Sequence, residues 1–303
     1  MPEPVISIRG LRKSYGELEA VRGIDLDVLP EEIFAVLGPN GAGKTTTVEI
    51  LEGYRDRDSG TVNVLGTDPA DPTREWRQRL GIVPQETALQ PYLTVRESIE
   101  LYAGYFPAPK PVDEVVALVG LEGEEDRRAG KLSGGQKRRL DVGIALVGDP
   151  ELLFLDEPTT GFDPSARRNA WQMVSGLREL GKTIVLTTHY MDEAQALADR
   201  VAIVRDGRIV ALDTPEDLGG REDRPTHIAF RLPGDSMASG PEGLEVTKVT
   251  DEHAGRPRFR LESSDPVADL NRLTGWALEN GFELEDLEVR RPSLEEIYLE
   301  VTG

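Results

Sequence analysis

The chain of 303 residues contains no cysteine, so neither a disulfide framework nor thiolate chemistry is open to it. That fits a reducing compartment, and the cytoplasm is the expected location. No apolar run approaches the ~20 residues a spanning helix needs, and MPEPVISIRG at the start lacks the basic segment and apolar stretch of a secretory leader. Any membrane role therefore requires a partner. Positive charge is scarce too: 35 Lys and Arg against 55 Asp and Glu give a formal net charge of −20. Long-range attraction to phosphate backbones or anionic lipid is thereby disfavoured, and no nucleic acid partner is expected. Internal repeats and low-complexity segments are also missing.

The composition that remains, 38% hydrophobic and 30% charged, is that of a globular chain and argues against disorder and against an integral membrane protein. The length favours two domains. Short runs rich in Val and Ile read as buried strands: VISI from Val5, IFAVLG from Ile33, GIVPQ from Gly81, LLFLD from Leu152, TIVLTT from Thr183 and VAIV from Val201. Helical patterns lie between many of them, so the fold class is α/β, a mainly parallel sheet, with LEAVRGIDLDV and TVNVLG suggesting an added antiparallel β layer. Residues 86–131 follow helical spacing and read as an inserted helical subdomain. Thr94 and Glu97 have capping-box spacing, and Asp163-Pro164 and Thr214-Pro215 each set a cap residue before a proline suited to a first helical turn.

Residues 1–219 thus form the expected nucleotide-binding domain, 220–225 a polar linker, and 226–303 a small α+β domain with one helical pattern from Asp265 to Asn280.

GPNGAGKTT, Gly38 to Thr46, follows an apolar strand and precedes a helix, the context a phosphate-binding loop requires. Its backbone N–H groups, with Asn40, Gly41, Ala42, Gly43 and Thr46 in the loop, would curl around a polyphosphate at a helix N-terminus. Lys44 should reach the β and γ phosphates and the Thr45 hydroxyl should ligate Mg²⁺. LLFLDEP ends a strand in two acids; Asp156 is the expected metal ligand and Glu157 the expected general base, the bland alternative being two solvated acids at a turn. Gln85 and His189 also end strands: the Gln85 amide oxygen can touch Mg²⁺ and water, and the His189 imidazole can donate one hydrogen bond and accept another near a γ-phosphate. Either could instead be a plain polar residue. His227 and His253 read as surface residues.

In LSGGQKRRL, Ser133 and Gln136 have capping-box spacing, so the Ser133 hydroxyl and the N–H groups of Gly134 and Gly135 should open a helix running through Leu146. That makes a second anion site with no metal or base residues of its own. The simplest arrangement pairs two chains head to tail, each signature helix capping the nucleotide bound by the other.

Together these motifs resemble those of ATP-binding-cassette ATPases. GPNGAGKTT is similar to Walker A, Gln85 to the Q-loop, LSGGQ to the signature, LLFLDEP to Walker B, GFDP with Asp163 to the D-loop, and His189 to the H-loop; Tyr15 falls where the family stacks an aromatic on adenine. The motifs stand in family order from Val5 to about Leu218. THYMDEAQALADRVAIVRDGRIVALDTPEDL and PSLEEIYLEVTG look most like the multidrug and antibiotic-exporter subfamily. Phe162 stands where the D-loop usually has Leu, and Gln195 where an acid is more usual. The resemblance implies a P-loop ATPase core using ATP and Mg²⁺, a sandwich homodimer, a separate transmembrane permease subunit, a place on the inner face of the cell membrane, and efflux of a drug or lipophilic compound. Tyr92, Tyr102 and Tyr105 either face that permease or pack the helical subdomain. The alternatives are a soluble cassette ATPase acting on ribosomes or DNA, and a non-hydrolysing scaffold, which Lys44, Asp156, Glu157 and His189 disfavour.

Overall fold

The computed structural model describes residues 2–86, 89–218, 224–233, 241–250, 257–292 and 296–298. The chain divides into two compact units, Met1–Pro215 and Glu216–Val301. In the first, β1 (Ile6–Tyr15), β2 (Leu18–Val28) and β3 (Ile33–Leu37) lead into α1 (Lys44–Leu51), β4 (Ser59–Val64), α2 (Arg74–Gln78) and β5 (Leu80–Val83). Two short helices, α3 (Val95–Ala103) and α4 (Val112–Leu118), and a 3₁₀ turn precede α5 (Gly134–Leu146). The chain returns through β6 (Leu152–Asp156), α6 (Pro164–Glu179), β7 (Thr183–Thr188), α7 (Met191–Leu197), β8 (Arg200–Arg205) and β9 (Arg208–Asp213).

A six-stranded sheet in the order β5-β6-β7-β3-β8-β9 is parallel except for β9, and a three-stranded antiparallel sheet has the order β2-β1-β4. Every residue of β3 and of β7 is buried, which is why neither strand alternates apolar and polar residues, although β7 sets buried threonines around its Ile-Val-Leu run. Phe34 and Phe154 join Ile6, Ile8, Trp76 and Val185 in one core fed by both sheets and α1. Burying each such side chain contributes roughly 1.5–3 kcal/mol.

Several expectations change. VISI does not join the parallel sheet: it opens β1, paired antiparallel with β2 and β4. Gln85 lies two residues beyond the end of β5. Thr214-Pro215 opens a turn rather than a helix, because only Glu216, Asp217 and Leu218 separate the proline from Gly219-Gly220, and paired glycines do not propagate a helix. The capping boxes at Thr94 and Ser133 both form, and Asp163 caps α6 with Pro164 in its first turn. Tyr92, Tyr102 and Tyr105 are exposed.

Arg138, four residues before Val142 on the buried stripe of α5, ties the helical region to the sheet. Its guanidinium donates to the carbonyls of Pro84, Asp156 (2.7 Å) and Pro158 (3.2 Å), and burial lowers its pKa, with Asp141, Asp156 and Glu193 opposing. The planar fork matches three acceptors that no single ammonium can reach.

In the second unit β10 (Thr226–Arg231), β11 (Thr247–Thr250), β12 (Pro257–Ser263) and β13 (Glu285–Arg290) form an antiparallel sheet in the order β11-β12-β10-β13, with α8 (Pro266–Glu279) between β12 and β13 in sequence. Ile228, Phe230, Phe259, Leu261 and Leu273 make its core. His227 is buried rather than on the surface: it sits near the start of the inner strand β10 against Arg260, and burial and that neighbouring cation lower its pKa. His253 and most of the 220–225 linker lie outside the described residues.

Replacing Arg138 by Ala strands these carbonyls, each at a cost of roughly 1–3 kcal/mol. The denaturation midpoint of the first unit should fall by the equivalent of about 3 kcal/mol, and Arg138→Lys should recover less than half of it. An alanine variant within ~0.5 kcal/mol of the parent would mean that the carbonyls find other donors.

Candidate functional site

The loop after β3 is held in shape by what surrounds it. Gly43 caps α1 at φ +100°, and a Cβ there would stand 2.3 Å from the Ala20 carbonyl oxygen; a Cβ on Gly38 would stand 2.2 Å from that of Val204. Both positions therefore exclude any side chain. Ala42 is buried and its carbonyl accepts from Gly207 N–H. Lys44 is only 5% exposed; its ammonium donates to the Gly38 (2.8 Å) and Pro39 (3.1 Å) carbonyls and lies 3.9 Å from Glu157 Oε1. Burial lowers the Lys44 pKa, while Glu157 and Asp156 pull it back up.

Strand β7 pairs with β3 and β6 with β7, so the residues that follow β6 and β7 meet this loop. Glu157 takes the left-handed conformation at φ +45°, uncommon for a residue with a side chain, and its N–H donates to Thr187 Oγ1 (3.0 Å) and the Thr187 carbonyl (3.2 Å). The Thr187 hydroxyl in turn donates to Asp156 Oδ1, so one threonine holds both acids. Glu157 Oε2 accepts from Gln85 Nε2 (3.2 Å) and Thr160 Oγ1 (3.0 Å). His189 Nδ1 is 3.2 Å from Glu157 Oε1 but is not aligned for a hydrogen bond, and its ring packs on Tyr190 at 4.0 Å between centroids.

A pocket of about 400 Å³ gathers Tyr15, Asn40, Gly41, Gly43, Lys44, Thr45, Thr46, Gln85 and Glu157. Tyr15 is 41% exposed, with the Arg55 guanidinium 5.3 Å and the Lys13 ammonium 5.7 Å from its ring centroid. Thr45 also borders a second, larger groove together with Asp156.

Ser133, Gly135 and Gln136 lie elsewhere, around a pocket of about 310 Å³ with Phe162 on its wall. Ser133 N–H donates to Gln136 Oε1 (3.0 Å) and Gln136 N–H to Ser133 Oγ (3.3 Å), which leaves the N–H groups of Gly134 and Gly135 at the open end of α5. The Asp163 carboxylate accepts from Ser165 and Ala166 N–H, which lowers its pKa. Within one chain, then, the two sets of predicted residues line separate pockets.

Sequence reasoning missed Arg138, Thr187, Thr159 and Glu193. Glu193 is fully buried and its carboxylate accepts from Thr159 Oγ1 (2.7 Å) and Trp171 Nε1 (3.3 Å). A signal existed for the two charged ones. Arg138 falls on a helical stripe with Val142 and Leu146, and Glu193 four residues before Leu197, so each occupies a core-facing position where a charge must find partners.

A family model described as ABC transporter matches residues 21–160, and one described as the C-terminal domain of ABC transporter domain-containing protein-like chains matches 226–293. A Nod factor export ATP-binding protein of Burkholderia orbicola is 43% identical over 304 residues, covering 98% of this chain and 97% of that one. A daunorubicin resistance ATP-binding protein of Streptomyces coeruleorubidus is 36% identical, covering 100% and 97%, and a linearmycin resistance ATP-binding protein of Bacillus subtilis is 34% identical, covering 99% and 98%. Among solved structures, cbiO1 of Clostridium perfringens, part of an ABC transporter complex, has 28% identity and a TM-score of 0.64, covering 71% of this chain and 90% of that one. An ATP-binding cassette dimer in a post-hydrolysis state with ADP and Pi has 25% identity and a TM-score of 0.62, covering 69% and 98%. No helix among the described residues is long and apolar enough to cross a membrane. With a phosphate loop, two adjacent acids and a histidine on one sheet edge, and full-length relatives of this kind, the chain belongs to the ABC transporter family, as an ATP-binding and ATP-hydrolysing subunit.

Proposed function

We propose that Glu157 is the general base for ATP hydrolysis, that Lys44 and His189 hold the γ-phosphate, and that two copies of this chain close head to tail so that Ser133, Gly134 and Gly135 of one complete the site of the other. The single observation that carries this reading is the convergence of Lys44, Gln85, Thr160 and His189 on the Glu157 carboxylate. Gln85 and Thr160 both donate to Oε2, which fixes the carboxylate and leaves Oε1 to take a proton from water. Asp163, already engaged as a helix cap, would act by placing α6 at the dimer interface and not through a free carboxylate.

For Mg²⁺ the donor set is a hydroxyl, a carboxylate and an amide oxygen, from Thr45, Asp156 and Gln85. These are hard oxygen ligands of the number expected when phosphates and waters supply the rest. Asp156 and Thr45 border the same groove, and Thr187 already orients Asp156, so the residues fit that ion. When bound it would neutralise charge on the phosphates. Tyr15, exposed at the pocket rim, would stack on the base.

The resistance and export names of the full-length relatives support efflux of a drug or lipophilic compound through a separate membrane subunit at the inner face of the membrane. That subunit would seat in the groove of about 640 Å³ bordered by Glu52, Tyr54, Ile82, Pro84, Thr45 and Asp156. Tyr54 at 80% exposed and Ile82 at 42% leave apolar surface there for a partner. Because Thr45 and Asp156 share the groove, movement of its occupant reaches the ATP site directly.

Glu157→Gln should keep ATP binding and lower turnover by roughly 10²-fold or more, trapping a dimer visible by size-exclusion chromatography with ATP. Hydrolysis near the parent rate would remove the base assignment. The tagged chain extracted from native membranes in mild detergent should bring a stoichiometric integral membrane protein, identified by mass spectrometry; ribosomal proteins or DNA in its place would overturn the exporter reading.

Burial, with Asp156 and Glu49 adding to it, raises the Glu52 carboxyl from 4.5 to about 8. The folded state then binds this proton more tightly than the unfolded chain, so stability falls as pH rises from about 4.5 to about 8, and the full penalty is present above that. Without metal or nucleotide, Glu52→Gln should gain melting temperature over the parent progressively across that window and differ little below it. A difference that does not change with pH would rule this out.

A further inference from the structure

Glu193 is a carboxyl that costs stability to bury and that the chemistry above does not use. It has no exposed surface, its Oε2 has no hydrogen-bond partner among the described residues, and its Oε1 is shared by Thr159 and Trp171. Burial raises its pKa, with the Thr188 and Thr159 hydroxyls and the Trp171 indole partly offsetting this. Its surroundings belong to three segments. Thr159 stands two residues after Glu157, Thr188 directly before His189, and Trp171 on α6, the helix capped by Asp163.

If Glu193 served only to fill space, an apolar side chain of its size would do so without desolvating a carboxyl. An acceptor at this point does something that methionine cannot: it fixes the Glu157 loop and α6 to one atom, next to the segment that carries His189. We propose that Glu193 is a positioning residue, whose Oε1 sets the placement of Glu157 and His189 relative to the D-loop helix α6, and that it acts on turnover rather than on ATP affinity. This rests on the reading of Glu157 and His189 as reaction residues. A misplacement of about 1 Å is enough to cost roughly 10²-fold in a reaction that depends on positioning.

The test measures kcat, KM for ATP and melting temperature on the full chain for Glu193→Met, Glu193→Gln, Thr159→Val and the Glu193→Met/Thr159→Val double variant. Glu193→Met should lower kcat about tenfold or more with KM within about twofold, an effect on the step and not on binding. Glu193→Gln keeps the acceptor and should stay within about threefold of the parent in kcat. Thr159→Val should reproduce part of the loss, and the double variant should be no slower than Glu193→Met alone, since the two groups act through one bond. If Glu193→Met fails to fold, the Glu193→Gln and Thr159→Val measurements decide alone. A Glu193→Met variant at the parent rate, a Glu193→Gln variant as slow as the methionine one, a Thr159→Val variant at the parent rate, or losses that multiply independently would each overturn the proposal. Glu157→Gln, run alongside, separates the two readings: if it is inactive while Glu193→Met turns over normally, only the positioning role falls.

Discussion

The whole site depends on the parallel pairing of β6, β7 and β3 in register. Leu37 pairs with Thr188 and Asp156 with Thr187, so the three strands end at one level. Neighbouring strands stand about 4.8 Å apart, which brings the phosphate loop, the acid pair and the histidine within roughly 10 Å of one another before any side chain has been chosen. A shift of one residue in the β6–β7 pairing would turn the β7 side chains to the opposite faces relative to β6 and uncouple Thr187 from both acids. The buried character of these strands is thus a condition for how the residues at their ends are placed, not merely for stability.

Much of this was legible in the sequence, since the signals were local. A glycine-rich loop between strand and helix, an apolar run ending in Asp-Glu, and a capping box at Ser133 are each complete within a few residues, and the α/β class followed from how they alternate. The failures share a cause as well. VISI has the composition of a parallel core strand, yet only tertiary pairing decides that it opens an antiparallel one. The left-handed backbone of Glu157 is invisible because nothing in Asp-Glu-Pro demands it; it is imposed by the bonds to Thr187. His227, which follows polar linker residues and opens an apolar run, gave no hint that Arg260 from another strand would bury it.

Arg138 and Glu193 are both buried. Each sits on a helix and reaches across to the segments around β6: Arg138 to the carbonyls of Asp156 and Pro158, Glu193 to the side chain of Thr159. The stretch from Asp156 to Thr160 is therefore gripped from two helices that lie far apart in sequence. This suits a segment whose backbone must stay in an unfavourable conformation, because strain of that kind persists only where the surroundings over-determine it.

The contact of Gly43 with the Ala20 carbonyl has a consequence for how this protein comes to bind anything. Ala20 lies on β2 of the antiparallel sheet, and Gly207, which bonds Ala42 and Arg22, lies on the turn between β8 and β9. The loop proposed to cradle phosphate is thus a seam between parts of the chain some 160 residues apart, and it takes shape only once the two sheets have met. Bound at that seam, nucleotide would be a ligand of the finished fold alone, so its binding free energy would add to the stability of the docked sheets, and in a cell the ATP pool would act as a clamp on the assembled first unit.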